Sequence, residues 1–154
     1  MVPLQIAHLF QHPQAIPQVA DWIYQAFWAD QPAYDPVFFE QRLAEAVDPH
    51  HLPLSLLALI EGIPVGTINL IANDDPNRPH LFPWLAALYV VPSHRRRGIG
   101  STLVIHLQQV SHQLGFSEVY LGTDIPNFYR RLGAELSEQT RSGLSIMRLP
   151  CPVR

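Results

Sequence analysis

The stretch Trp84-Leu85-Ala86-Ala87-Leu88-Tyr89-Val90-Val91-Pro92-Ser93-His94-Arg95-Arg96-Arg97-Gly98-Ile99-Gly100-Ser101 decides how the rest of the chain is read. From Trp84 to Val91 it is apolar on both faces, as a central strand covered on both sides should be, and Pro92 stops it. From Gly98 the period changes. Ile99, Leu103, Leu107, Val110 and Leu114 form one helical stripe, and Gly115 stands where a C-cap glycine belongs. The junction therefore carries Arg95, Arg96, Arg97, Gly98, Ile99, Gly100 and Ser101 between a buried strand and an amphipathic helix. Glycine lets the main chain approach a ligand closely. The first N–H groups of a helix have no internal partners, and the helix dipole favours an anion beside them. The expectation is a phosphate or pyrophosphate site at the start of this helix, with the arginines adding positive potential.

Working outward, Leu4, Ile6 and His8 alternate with their neighbours as a first strand. Pro17 suits a first helical turn, and Ala20, Ile23 and Phe27 continue at helical spacing, so a helix is expected over 16–29. Asp35-Pro36 reads as an N-cap followed by Pro at the first helical position. Phe39, Leu43 and Val47 supply that helix's stripe, and Pro49 ends it. Leu54–Ile60 and Val65–Ala72, joined by Glu61-Gly62, read as an antiparallel hairpin, and Asn73 to Pro79 as a loop. Beyond the central helix come a strand over Val119–Thr123 and a short helix over Pro126–Leu132 ending at Gly133. Leu136 and Leu144–Leu149 suggest two closing strands around Arg141-Ser142-Gly143. The order β-α-α-β-β-β-α-β-α-β-β describes an α/β single domain over residues 1–154, with a mixed, mostly antiparallel sheet flanked by helices.

Composition removes several function classes. With 154 residues, 47% hydrophobic and 15% charged, the chain can bury a core without a disulfide or metal staple. Its net charge of -3 argues against a nucleic-acid partner. No apolar run is long enough for a membrane span. Met1-Val2-Pro3-Leu4-Gln5 lacks the basic and apolar regions of a signal peptide. With Cys151 as the one cysteine, a cytoplasmic location is expected. The 8 histidines show no zinc-ligand spacing, so no metal is expected. The chain has no lysine, which excludes a Walker-type phosphate loop. Gly98 and Gly100 lead to Leu103, not to the third glycine or alanine of a dinucleotide fingerprint.

The run from Leu88 to Leu103, with R-x-x-G-x-G at Arg95–Gly100, resembles the acetyl-CoA-binding core of the GNAT family of N-acetyltransferases. A second segment, Asn127-Phe128-Tyr129-Arg130-Arg131-Leu132-Gly133-Ala134, resembles that family's F-Y-x-x-L-G motif, one helix and one strand further on. The resemblance implies a GNAT-like acyl-CoA N-acyltransferase fold that uses acetyl-CoA and no metal. Its partner would be a primary-amine acceptor, either a small molecule or a peptide. Relatives often form dimers, so a homodimer is an expected assembly.

By that resemblance, the main chain of Leu88, Tyr89 and Val90 pairs with pantetheine, and the Leu88 N–H polarises the thioester carbonyl. The N–H groups of Arg96, Arg97, Gly98, Ile99, Gly100 and Ser101 hold the pyrophosphate, and Arg95 fills the signature's first position. Tyr129 matches the tyrosine that protonates the leaving thiolate. Two departures stand out. The family's frequent Asn seven residues before the tyrosine is Gly122 here, and its glutamate position holds Trp84. Asp124, His80 and Asp75 remain as candidates for a general base. Trp28, Tyr34, Phe38, Phe82 and Trp84 are candidate walls of an acceptor pocket. Tyr34, Trp84, Asp124 and His80 are expected to face the acceptor most directly, and Asp74-Asp75 could attract a cation. Cys151, between two prolines with no base nearby, is a poor nucleophile. Two rivals stay open: a non-catalytic acyl-CoA-binding module, and a phosphate-binding protein of another class.

Overall fold

The computed structural model describes residues 3–153; the reading of Met1-Val2 lies outside them. The strands are β1 (Leu4–His8), β2 (Leu54–Ile60), β3 (Ile63–Ile71), β4 (Trp84–Val90), β5 (Glu118–Thr123), β6 (Glu135–Gln139) and β7 (Ser145–Pro150). The helices are α1 (Ile16–Ile23), α2 (Pro36–Ala44), α3 (Ile99–Gln113) and α4 (Pro126–Arg130). Apart from short 3-10 turns, this is the order read from the sequence. The sheet runs β1-β2-β3-β4-β5-β7-β6 and is antiparallel throughout, except where β4 and β5 lie parallel.

Side-chain alternation assigns the two faces. Leu54, Leu56, Ile68, Leu70, Leu85, Leu121 and Met147 pack under α3 against Leu103, Val104 and Leu107. Leu57 and Leu59 turn the other way and meet Val19, Ala20, Ile23, Phe39 and Leu43 of α1 and α2. Glu61 and Gly62 both have positive φ (52° and 78°), the two-residue turn that matches strand twist in a hairpin.

Two elements differ from their sequence reading. α1 widens at Tyr24–Trp28 into a π-type turn before the chain leaves the helix. α2 starts as expected, with the Asp35 carboxylate accepting from the Phe38 N–H at 2.9 Å. It stops at Ala44, well short of Pro49. There the last N–H groups tighten onto closer carbonyls (Glu45 to Arg42, Ala46 to Leu43), leaving Val47 66% exposed and off the stripe.

The sheet's middle is irregular in a way that matters. β4 meets β5 through a single residue pair, Trp84 with Tyr120, supported by the Tyr120 N–H donating to the Pro83 carbonyl at 2.9 Å. Past that point the two strands part. On its other side β4 follows β3 with a slip: Ala86 faces Asn69 and Tyr89 faces Thr67, so Ala87 and Leu88 together oppose Ile68. Ala87 is the extra residue of this β-bulge and holds φ at +50°.

Gly66, opposite Val90, marks how closely β3 and β4 approach. A Cβ there would stand 2.9 Å from the Tyr89 carbonyl oxygen and 3.2 Å from Leu103 Cδ1. The first contact is main chain and cannot swing away. Gly66→Ala should therefore destabilise the fold by about 1–3 kcal/mol. Urea unfolding checks this, and an unchanged midpoint would contradict the packing described.

Candidate functional site

In an antiparallel ladder, alternate residues direct their main-chain groups toward the partner strand. The Val91 N–H donates to the Val65 carbonyl at 2.9 Å, and Tyr89 is registered with Thr67. Tyr89 and Val91 thus face β3, and Leu88 and Val90 turn their amides and carbonyls toward β5. Since β5 has already diverged, these groups line the gap between the strands. The Val90 carbonyl accepts from Arg95 Nε at 2.8 Å.

The gap leads into the turn between β4 and α3. Arg96 and Gly98 both have positive φ (64° and 80°), on either side of Arg97. Such alternation curls successive N–H groups inward into an anion-binding concavity. Thr102 is the first residue to close a helical bond, from its N–H to the Gly98 carbonyl at 3.0 Å, with its hydroxyl on the same oxygen at 2.9 Å. Among the described residues, no main-chain N–H from Arg96 to Ser101 donates to a carbonyl. The turn and first helical turn together present a run of donors with the positive end of a 15-residue helix behind them.

The arginines divide their work. Besides holding Val90, Arg95 lies over the Tyr89 ring at 5.3 Å, and Trp22 of α1 meets that ring edge-on at 5.5 Å. Arg95 is thus a bracket between turn, strand and helix. Arg96 and Arg97 are exposed.

Tyr129 is 5% exposed on α4, with its ring against Phe128 at 4.9 Å and 85°. Burial, and then the negative charge of Asp124, push its phenol well above the ordinary tyrosine value of about 10. Phe128 reaches back to α3, its ring tip 3.5 Å from where a Gly100 Cβ would stand. The two sequence motifs are therefore in contact. A Cβ at Gly100 would only touch Phe128, whereas a long side chain there would press on α4. The Thr123 hydroxyl accepts from the Ile125 N–H at 2.9 Å and fixes the short link from β5 to α4, where Asp124 is exposed.

The remaining candidates are scattered. Trp28, Tyr34 and Phe38 form an aromatic cluster at the α1–α2 connection, with Tyr34 4.9 Å from both other rings. Trp84 lies under the surface at 1% exposure, its indole N–H on the Leu81 carbonyl at 2.8 Å, so it offers no open wall. His80 and Phe82 are exposed on the β3–β4 loop. Asp75 is engaged by Arg78 at 2.6 Å, and Arg78 also grips both carboxylate oxygens of Glu138 on β6 at 3.0 and 2.5 Å. Of the acidic pair, Asp74 is the one without an arginine. Asp74 is exposed as a residue, yet crowding of its carboxyl within the loop, and then the charge of Asp75, raise it above the ordinary carboxylate range. Above Gly122, Leu144 fills the space: a Cβ at Gly122 would meet its Cδ2 at 2.9 Å. An open groove of about 560 Å³ is lined by Asn77, Arg78, Glu138 and the Thr140–Ser142 turn; none of its lining belongs to β4 or the β4–α3 turn.

Two features were missed from the sequence. One is the Arg78–Glu138 link, which ties the β3–β4 loop to the far edge of the sheet and whose partners lie 60 residues apart. The other is Asn69, buried in β3, whose amide reaches the bulge. A lone amide within the apolar run of Ile63–Ile71 was the available signal for it. Among the described residues there is no cluster of three His, Cys, Asp or Glu able to hold a metal, and no helix long and apolar enough to cross a membrane.

The fold has many solved counterparts. An aminoglycoside 6'-N-acetyltransferase complexed with coenzyme A superposes with a TM-score of 0.73 at 19% identity, over 97% of this chain and 98% of that one. A GNAT-family acetyltransferase from Streptococcus pneumoniae gives 0.72 at 15% identity, over 96% and 99%. The PaiA N-acetyltransferase from Thermoplasma acidophilum, in complex with coenzyme A, gives 0.62 at 20% identity, over 96% and 99%. At such identities the likeness shows the fold alone. No curated protein matches the sequence. The sequence profile of the acetyltransferase (GNAT) family does match, over residues 16–134, and the chain belongs to that family.

Proposed function

We propose that the chain is a single-domain, acetyl-CoA-dependent N-acetyltransferase that passes an acetyl group to a primary amine by direct attack. The observation that carries this is the continuity of donors: the free amides of Leu88 and Val90 in the gap run directly into the N–H groups of Arg96–Ser101. That spacing suits an extended, amide-bearing arm ending in a diphosphate. Acetyl-CoA supplies both, together with an activated acyl group on sulfur.

On this reading Leu88 donates its N–H to the thioester oxygen as negative charge gathers there. Arg95 holds Val90, and through it the end of β4, at the angle the arm needs. Tyr129 stays protonated because its site disfavours the phenolate, and it delivers its proton to the departing thiolate. A cation formed beside Asp124 offsets the charge that weakens this acid, so the phenol becomes a better donor as the ammonium forms. The acceptor enters past the α1–α2 aromatic cluster and the β3–β4 loop, where Asp74 favours a cationic amine; that amine gives up one proton to water before its nitrogen attacks, and the acylated nitrogen gives up a second to water as the thiolate leaves. The aminoglycoside acetyltransferases among the structural neighbours make aminoglycosides a natural first class to test, beside amino acids, other amines and peptides. Trp84 and Gly122 leave the family's usual base positions without an acid. That observation favours the second reading, an acyl-CoA-binding module without turnover.

Calorimetry with coenzyme A and an acetyl-CoA consumption screen over those amines separate the two readings: binding with no turnover on any amine leaves only the second. Gly100→Glu places bulk against Phe128 and negative charge in the anion turn, and should abolish coenzyme binding; retained affinity would count against the site. Tyr129→Phe should lower kcat by about 10²-fold or more while leaving the dissociation constant for coenzyme A little changed. An unaltered kcat would remove Tyr129 from the acid role. In a near-ultraviolet titration, the difference between wild type and Tyr129→Phe should show no tyrosinate at pH about 10, where an ordinary phenol is half ionised.

A further inference from the structure

We propose that Asn69 is a positioning residue for the thioester-polarising amide, acting through a hydrogen bond to the bulge carbonyl of Ala87. This rests on the acetyl-transfer reading above, in which the Leu88 N–H is the group that must be aimed. Asn69 is 5% exposed on the α1–α2 face of β3. Its Nδ2 donates to the Ala87 carbonyl at 3.4 Å, and its Oδ1 accepts from the Ser55 hydroxyl of β2 at 2.6 Å. Ser55 is itself 4% exposed and directly opposite Asn69 in the ladder.

The bulge needs such a partner. A non-glycine residue at φ +50° is strained by its own Cβ, and the extra residue takes the Ala87 carbonyl out of the regular ladder. A carbonyl held partly out of water, as this one is, costs free energy if it lacks a donor. Asn69 supplies that donor; because the Ala87 carbonyl can only accept, the amide turns its Nδ2 toward it and leaves Oδ1 to accept from the Ser55 hydroxyl. The bulge in turn decides where Leu88 points. Leu85 and Leu88 pack on the same α3 face though three residues apart, because Ala87 absorbs one step of the alternation. If β4 relaxed to a regular strand, the phase beyond Ala86 would invert and the Leu88 amide would swing from the gap toward β3.

Bound acetyl-CoA carrying a ¹³C-labelled carbonyl gives the test, read by isotope-edited infrared spectroscopy, with calorimetry for affinity and thermal melting for fold. In the wild type the carbonyl band should fall below that of free acetyl-CoA. In Asn69→Leu it should return most of the way to the free position, while the dissociation constant rises by less than about tenfold because the phosphate turn is intact. Ser55→Ala, the milder variant, should lose part of the shift. Ala87→Gly added to Asn69→Leu should restore it, since glycine adopts positive φ without the Cβ penalty. A merely structural role for Asn69 would lower the melting temperature and leave the band of the bound fraction in place, which overturns the proposal. So does a full shift in either single variant, or a wild-type band that does not move although the coenzyme binds. Failure of the wild type to bind acetyl-CoA at all would instead overturn the acetyl-transfer reading, and this proposal with it.

Discussion

Two neighbouring strands that meet at one residue pair and then separate are the constraint on which the rest of this molecule depends. β4 and β5 touch at Trp84 and Tyr120. Sheets normally satisfy every interior amide with a partner strand, and an unpaired edge in the middle of a sheet is expensive. Here the edge persists because the surroundings hold it open. α3 packs beneath both strands through Leu103, Val104 and Leu107, the bulge at Ala87 re-aims β4, and Arg95 caps the carbonyl of Val90. What would be a defect in a regular sheet becomes an opening between β4 and β5.

Side chains and main chain then take separate tasks. The side chains at this junction are largely braces: Arg95 on Tyr89 and Val90, Phe128 on the first turn of α3, Asn69 on the bulge. The groups left without a carbonyl partner at the turn are amides. The charged side chains of the β3–β4 loop behave similarly. Arg78 pairs with Asp75 and Glu138 while anchoring the β3–β4 loop, and among the described residues neither Asp74 nor Asp124 has an arginine partner.

How much of this the residues announced follows from range. Signals written within a few positions were legible: Asp35 before Pro36, the stripe from Ile99 to Leu114, Glu61-Gly62 between two apolar runs, and the glycines ahead of α3. The order of elements followed from them. The bulge was hidden because Trp84 to Val91 is apolar at every position, so a slip in alternation leaves no trace in the pattern. Trp84 looked like a pocket wall because burial depends on what the Leu81 carbonyl and the neighbouring strands do, not on its own neighbours in sequence. The end of α2 moved because turn geometry at Glu45–Val47 outweighed the proline further on. Arg78 and Glu138 gave no warning, being surface charges of ordinary appearance until the loop brings them together.

The amide-built turn also bears on how such a protein drifts over time. A donor on the peptide unit is present whatever side chain that position carries, so mutation can rewrite Arg96, Arg97 or Ser101 without deleting the N–H groups that the turn presents. Only the glycines and the braces behind the turn are answerable to selection for shape. Lineages can thus diverge until four residues in five differ, as between this chain and its structural counterparts, and still keep the same fold.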